Sequence, residues 1–186
     1  TSYVWVAFDE RRESLRAAQT YLAVAVIGGM VMLMGLFLLY DLFGTLEMDE
    51  LGGMAKAVLN GASAGRPALG GSVFSSPVTQ LYTAAALLLF GFGAKAGCVP
   101  LHIWLPKAHP EAPAPASALL SGILTKAGVF GIVFVSCVLF EENRAWGTLI
   151  VGLGLATMFL GAFLAVFSIN LKRTLACSSV SQIGFI

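Results

Sequence analysis

Two lysines are the only charged residues deep inside the long apolar segments of this sequence. Lys95 lies near the end of one segment, and Lys126 lies near the middle of the next. A charge at the bilayer centre costs about 2.5 to 3.5 kcal/mol on the insertion scale, so such a residue usually marks an ion or proton pathway. The alternative is a lysine whose side chain extends to the membrane surface, and it fits Lys95 better than Lys126.

Small residues precede both lysines at helical spacing. Ala118 and Gly122 come eight and four residues before Lys126, which places all three on one face of a helix. Gly91 stands four residues before Lys95. Because small residues let another helix approach closely, this pattern predicts that Lys126 points into the interior of a helix bundle.

A glycine and a proline follow Lys95 directly. Pro100 removes one helical N–H and disfavours helical geometry at Val99, so the helix is expected to break at Gly97 and Pro100, one turn past the lysine. At membrane depth, broken helices occur where they are buried in protein or line a wet cavity, and transporters use them for ion sites. A span that simply ends at Val99 is an equal alternative.

Two histidines flank a tryptophan in this proline-rich stretch. His102 and His109 could relay protons near neutral pH, because an unperturbed histidine has a pKa of about 6.5. A hydrogen-bonding histidine beside an anchoring Trp104 at the membrane surface is an equal alternative. The spacing of the pair across a proline is poor for a metal site, and no metal ligand set is predicted.

The composition excludes several classes of protein. Hydrophobic residues make up 58% of the 186 residues and charged residues 11%, against about 25% charged in soluble domains. The net charge of +1 offers no field for nucleic acid. Cys98, Cys137 and Cys177 lie far apart, so a disulfide framework, a zinc site or an iron-sulfur cluster is not expected.

The apolar segments predict an all-α, polytopic transmembrane helix bundle, because a helix of about 20 residues spans the hydrocarbon core. Residues 1–186 are expected to be one transmembrane domain and an internal fragment, since the sequence starts at Thr1 without methionine and stops within an apolar run. The segment 44–77 is expected to be an extramembrane loop, with a short surface helix over Met48–Leu59. The predicted spans are 19–42, 78–99, 116–140, 146–168 and an incomplete 174–186.

The basic residues outside these spans predict the orientation. By the positive-inside rule, the larger of two groups faces the cytoplasm. The larger group is Arg11, Arg12, Arg16, Lys107, Lys172 and Arg173, and the smaller is Lys56, Arg66 and Arg144.

Two stretches resemble a known family. Residues 92–131, FGAKAGCVPLHIWLPKAHPEAPAPASALLSGILTKAGVFG, and the later LKRTLACSSVSQIG are similar to the antiporter-like proton-conducting membrane subunits. Members occur in respiratory complex I, in membrane-bound nickel-iron hydrogenases of the formate-hydrogenlyase type, and in multi-subunit Mrp sodium/proton antiporters. The resemblance implies a fragment of a bundle of approximately fourteen helices with one discontinuous helix.

The same resemblance implies roles for the two lysines. Lys95 matches the lysine on the discontinuous helix and Lys126 the lysine on the following helix, and both belong to a hydrated proton path along the membrane plane. The segment AHPEAPAPASALLSG is most similar to the hydrogenase branch of the family. Phe130, Phe134 and Asn170 depart from residues common in the family, and the family's glutamate partner would lie before Thr1.

These inferences lead to one expectation and three rivals. We expect a proton-translocating subunit of a redox-driven complex in a bacterial or archaeal inner membrane, in which Lys95, Lys126, His102 and His109 carry protons. No cofactor of its own is expected. Its partners would be other membrane subunits and peripheral redox subunits. The rivals are a subunit of a sodium/proton antiporter, a retinal protein with a lysine Schiff base, and a structural bundle whose lysines reach the membrane surface.

Overall fold

The computed structural model describes residues 2–61, 76–141 and 143–186, and every regular element within these ranges is helical. Thr1, Glu142 and residues 62–75 of the predicted loop, Arg66 among them, lie outside the described residues. A 3-10 turn at Leu101–Ile103 precedes α5, and a π-helical turn at Leu120–Leu124 joins α6 to α7. The helices are α1 (Ser2–Val6), α2 (Arg12–Phe43), α3 (Met48–Leu59), α4 (Pro77–Ala96), α5 (Trp104–Glu111), α6 (Ala114–Leu119), α7 (Thr125–Leu139), α8 (Arg144–Val166) and α9 (Leu171–Phe185).

Four segments of the described chain are long and apolar enough to cross a membrane. They are α2, α4 with α5, α6 with α7, and α8. The predicted all-α transmembrane fold is therefore confirmed. Helix α2 begins at Arg12, before the predicted start of the first span at residue 19. Ser14, Ala17 and Ala18 form a buried stripe on its first turns, while Arg12 and Arg16 stay exposed.

Helix α2 packs antiparallel along α4. The two backbones meet at Gly28 and Gly91, where a Cβ atom added to Gly91 would lie only 2.7 Å from the carbonyl oxygen of Gly28. Helix α7 packs on the other side of α4, and α8 packs along α9. Small residues thus let the helices around Lys95 approach closely. This is expected in a membrane, because the hydrophobic effect does not drive association between helices in lipid and close packing must do so.

Buried residues form one cluster at each end of the bundle. The first joins α1, α2, α5 and α9 through residues that include Val6, Ala18, Leu105 and Val180. The second joins α2, α3, α4, α7 and α8 through residues that include Leu42, Val58, Leu81 and Trp146. Arg11, Arg12, Arg16, Lys107 and Lys172 lie on the helix ends that meet at the first cluster, and Lys56 and Arg144 lie at the second.

Helix α3 has the bounds predicted for a short surface helix, but one of its faces belongs to the core. Leu51, Ala55 and Val58 are buried, and the helix packs against α4 and α7. On its exposed face, the ammonium group of Lys56 lies 2.7 Å from a carboxylate oxygen of Glu141. The hydrogen bond from Lys56 lowers the pKa of Glu141.

Candidate functional site: an interrupted helix between two membrane lysines

Helix α4 stops one residue after Lys95. Gly97 adopts a left-handed conformation with φ of 81°, which a residue without a Cβ atom reaches at little cost. The amides of Gly97 and Cys98 both donate to the carbonyl oxygen of Gly93, at 2.8 and 3.0 Å. The chain then passes through Pro100 and the 3-10 turn into α5, so the predicted discontinuous helix is present.

Two side chains bind the backbone groups that this interruption leaves free. The indole Nε1 of Trp104 donates to the carbonyl oxygen of Ala94 at 2.8 Å, and the hydroxyl of Thr157 accepts from the amide of Val99 at 3.2 Å. Both side chains are almost fully buried. The sequence analysis assigned no role to Thr157 and treated Trp104 only as an anchor at the membrane surface. The indole of Trp104, a hydrogen-bond donor one turn after the predicted break, was the feature that could have indicated its role.

Lys95 lines a cavity of about 190 Å³ between α2, α4 and the α6–α7 segment. The lysine lies in the last turn of α4, where the helix dipole favours a positive charge. Gly28 and Gly91 lack the side chains that would fill this space, and no acidic residue of the described ranges lines it. The remaining lining residues are Tyr21, Val24, Ala25, Gly29, Met32, Ala94, Trp104 and Leu124.

The face that carries Lys126 is uncovered in the part of the chain that the structure describes. Ala118, Gly122 and Lys126 are exposed, and a Cβ atom added to Gly122 would meet nothing within 4 Å. No helix of the described chain covers this face. The π-helical turn adds a residue between Ala118 and Lys126, which disturbs the spacing on which the prediction rested. The ammonium group of Lys126 donates to the carbonyl oxygen of Ser121 at 3.0 Å.

The helices of the two lysines touch. A Cβ atom added to Gly128 would lie 2.5 Å from the amide nitrogen of Ala96, so α7 approaches the backbone of α4 next to the interruption. Leu124, two residues before Lys126, lines the cavity of Lys95. The two lysines therefore belong to adjoining turns of contacting helices.

The two histidines occupy different environments. His109 is buried, its Nδ1 atom is hydrogen-bonded to the hydroxyl of Ser117, and its Nε2 atom has no partner among the described residues. His102 is half-buried, and its Nδ1 atom likewise lacks a partner there. Beside His109, the ammonium group of Lys172 donates to the carbonyl oxygens of Pro110 and Ala112, at 3.3 and 3.2 Å. Lys172 lies in the first turn of α9.

Among the described residues, no three histidine, cysteine, aspartate or glutamate side chains are grouped as they would be to hold a metal ion. The three cysteines are free. The site is built instead from amines, imidazoles, hydroxyls and backbone carbonyl groups. Amines and imidazoles can take up and release protons, hydroxyls can donate and accept hydrogen bonds, and the carbonyl groups accept hydrogen bonds from them.

The fold and the site define a polytopic membrane protein with a lysine beside a discontinuous helix. A family model described as "NADH:quinone oxidoreductase/Mrp antiporter, TM" matches residues 1–186, and the chain belongs to this family.

Three relatives illustrate the match. Hydrogenase-4 component B of Escherichia coli (strain K12) is 33% identical over 100% of this chain and 25% of its own length. NAD(P)H-quinone oxidoreductase chain 4 2 of Thermosynechococcus vestitus is 35% identical over 92% of this chain and 32% of its own length. In the structure of the Mrp complex from Dietzia sp. DQ12-45-1b, one chain superposes with a TM-score of 0.81 at 28% identity, covering 99% of this chain and 32% of that chain.

The chain spans about a quarter to a third of the length of these relatives. It is a multi-pass protein of the bacterial or archaeal inner membrane.

Proposed function

We propose that the chain is part of a membrane subunit that translocates protons in a redox-driven complex, similar to NADH-quinone oxidoreductase or to a membrane-bound nickel-iron hydrogenase. Lys95 takes up and releases protons beside the interrupted helix, and Lys126 passes them on. His102 and His109 extend the path, with water between the side chains. The oxidoreductase chemistry belongs to partner subunits, both membrane-embedded and peripheral.

One observation carries this proposal. Lys95 lines a cavity at a point where the helix is interrupted inside an apolar span, and the same cavity is bounded by the segment that carries Lys126. A membrane-embedded lysine costs free energy unless it has water or polar partners. The cavity supplies room for water beside Lys95, which a lysine that merely reaches the membrane surface does not require.

The orphaned histidine atoms support the proposed path. A buried polar atom without a partner costs about 1 to 3 kcal/mol, so the Nε2 atom of His109 is expected to bind water or a group from the rest of the subunit. The hydroxyl of Ser117 holds the ring by its other nitrogen. His109 is thereby presented with one nitrogen available for proton exchange.

The test replaces each lysine in the full-length subunit within its complex, reconstituted into vesicles. We expect Lys95→Met and Lys126→Met each to lower proton translocation at least about tenfold while the complex still assembles. Lys107→Met is the matched control, because Lys107 is an exposed lysine on α5 without a hydrogen bond to the described residues. Translocation at the wild-type rate in both Lys95→Met and Lys126→Met would reject the proposal in favour of a structural bundle.

A second candidate function is sodium/proton antiport, because the chain is also similar to a subunit of an Mrp complex. The two functions differ in their ion requirement. Proton movement that persists without sodium and follows electron transfer supports the redox-driven complex. Proton movement that requires a sodium gradient, and no redox substrate, supports the antiporter.

A further inference from the structure

The π-helical turn between α6 and α7 changes the hydrogen bonding just before Lys126. The amide of Thr125 donates to the carbonyl oxygen of Leu120, five residues back. In an α-helix it would donate to Ser121, four residues back. The turn therefore withdraws from the carbonyl of Ser121 the amide that an uninterrupted helix would give it.

Two side chains take the place of this amide. The hydroxyl of Thr125 donates to the carbonyl oxygen of Ser121 at 2.8 Å, and the ammonium group of Lys126 donates to the same oxygen at 3.0 Å. Thr125 is fully buried, whereas Lys126 is exposed. A carbonyl oxygen has two lone pairs, so both bonds can exist together.

The turn is also tied to α9. The hydroxyl of Ser121 lies 3.1 Å from the hydroxyl of Ser179, which in turn donates to the carbonyl oxygen of Leu175 at 3.0 Å. These bonds fix the position of Ser121 from outside its own helix. The acceptor of the lysine ammonium group is consequently held by a neighbouring helix and does not move freely with α7.

We propose that the π-helical turn Leu120–Leu124 is a holding site for the ammonium group of Lys126, and that Thr125 is a positioning residue of this site. The inference rests on the proposed role of Lys126 in proton translocation. Lys126 is held at Ser121 when its side chain is docked, and it leaves when the amine passes its proton to a water molecule in the path. Thr125 keeps the carbonyl hydrogen-bonded after the amine has left.

In this proposal the side chains of Thr125 and Lys126 have different roles at the carbonyl of Ser121, and both are needed for proton translocation. Without the hydroxyl of Thr125, departure of Lys126 removes the second of the two side-chain donors from the carbonyl of Ser121, and the loss of a hydrogen-bond partner opposes each departure. Without the extra residue of the turn, as after deletion of Gly122, the backbone amide of Lys126 lies four residues after Ser121 and takes its carbonyl permanently. The first change retains the docked lysine too strongly, and the second removes its docking point.

The first test changes the number of residues in the turn of the full-length subunit in its complex. Deletion of Gly122 removes one residue from the turn and returns it to α-helical hydrogen bonding, at a position where no neighbour is in contact. Gly152→Ala on α8 is the control, since it changes a helical glycine outside the turn and its Cβ meets nothing within 4 Å. We expect the deletion to slow proton translocation about tenfold, the effect of losing one such hydrogen bond, and Gly152→Ala to translocate at the wild-type rate. Wild-type translocation by the deletion variant overturns the inference.

The second test leaves the turn intact and serves also where the deletion prevents assembly. We expect Thr125→Val to slow translocation about tenfold and Thr125→Ser, which keeps the hydroxyl, to restore it. A purely structural role would make Thr125→Val, close in shape to threonine, the milder change and Thr125→Ser the more damaging one, and that order contradicts the inference. Lys126→Met distinguishes failure of the holding site from failure of the proposed function. If Lys126→Met abolishes translocation while Thr125→Val translocates at the wild-type rate, the proposed function stands and the holding site is rejected. If Lys126→Met abolishes translocation, Thr125→Val slows it and Thr125→Ser restores it, both proposals stand.

Discussion

The two membrane lysines lie beside helix interruptions of different kinds. Next to Lys95 the helix ends, and the backbone groups set free are bound by side chains from other parts of the chain, Trp104 and Thr157. Next to Lys126 the helix continues with one extra residue, and the freed carbonyl is bound by Thr125 and by the lysine itself. One interruption is held by tertiary contacts and the other mainly by its own residues.

This difference separates the residues on which each lysine depends. The cavity of Lys95 is set by how α2, α5 and α7 pack, so substitutions far from Lys95 in sequence should alter it. The bond of Lys126 is set by the length and side chains of one turn, so substitutions close to it in sequence should matter most. The regions meet at Leu124, which lines the cavity of Lys95, and at Gly128, where α7 touches α4.

The largest expected effect on stability comes from a substitution at Gly128, where α7 touches α4. In Gly128→Ala the new Cβ atom would lie 2.5 Å from the amide nitrogen of Ala96 and 2.8 Å from the carbonyl oxygen of Phe92. Because backbone atoms cannot rotate away, we expect the free energy of unfolding of the full-length subunit to fall by about 3 kcal/mol and proton translocation to be lost. Denaturant titration measures the first and vesicle acidification the second. Gly152→Ala on α8, where nothing lies within 4 Å, is the control. Equal stability of the two variants would show that α4 and α7 do not meet as described.

The next effect in size tests the tertiary support of the first interruption. Trp104→Phe leaves the carbonyl of Ala94 without its indole donor, and we expect a loss of about 2 kcal/mol in the free energy of unfolding. Trp146→Phe is a matched control, because its indole donates to the hydroxyl of Ser136, which keeps a second bond to Ile132. Thermal unfolding of both variants measures the difference. A larger loss in Trp146→Phe than in Trp104→Phe would mean that the interruption does not depend on this bond.

The place of the first interruption could be predicted, because its causes are local. Pro100 lacks an amide hydrogen, and Gly97 reaches a left-handed backbone at little cost; both properties hold whatever the tertiary structure. These residues alone fitted a span that ends at Val99 equally well, and the resemblance to the family favoured the discontinuous helix that the structure has. Thr157 and Trp104 could not be assigned as the hydrogen-bond partners of the interruption. The spacing of residues along the chain does not show that α8, which carries Thr157, packs beside it.

The π-helical turn could not be predicted from the sequence. Leu120–Leu124 contains no proline, and its composition suits an ordinary α-helix. The extra residue is accommodated because Thr125 and Lys126 bind the freed carbonyl and because Gly128 fixes α7 against α4. An assumed helical period of four residues therefore assigned Ala118 and Gly122 to a buried face, whereas the structure exposes both.

The smallest expected effects on stability come from replacing one glycine in each interruption by alanine. Gly97→Ala forces a Cβ atom into a left-handed conformation, and we expect it to lower the free energy of unfolding by about 1 kcal/mol. Gly122→Ala places alanine in a helical turn with open space around it, and we expect a gain of about 0.5 to 1 kcal/mol, because alanine loses less backbone entropy on folding. Denaturant titration of the two variants measures the opposite signs. A gain in Gly97→Ala would mean that α4 can continue past Lys95, and the contrast between a helix that ends and a helix that carries one extra residue would then be wrong.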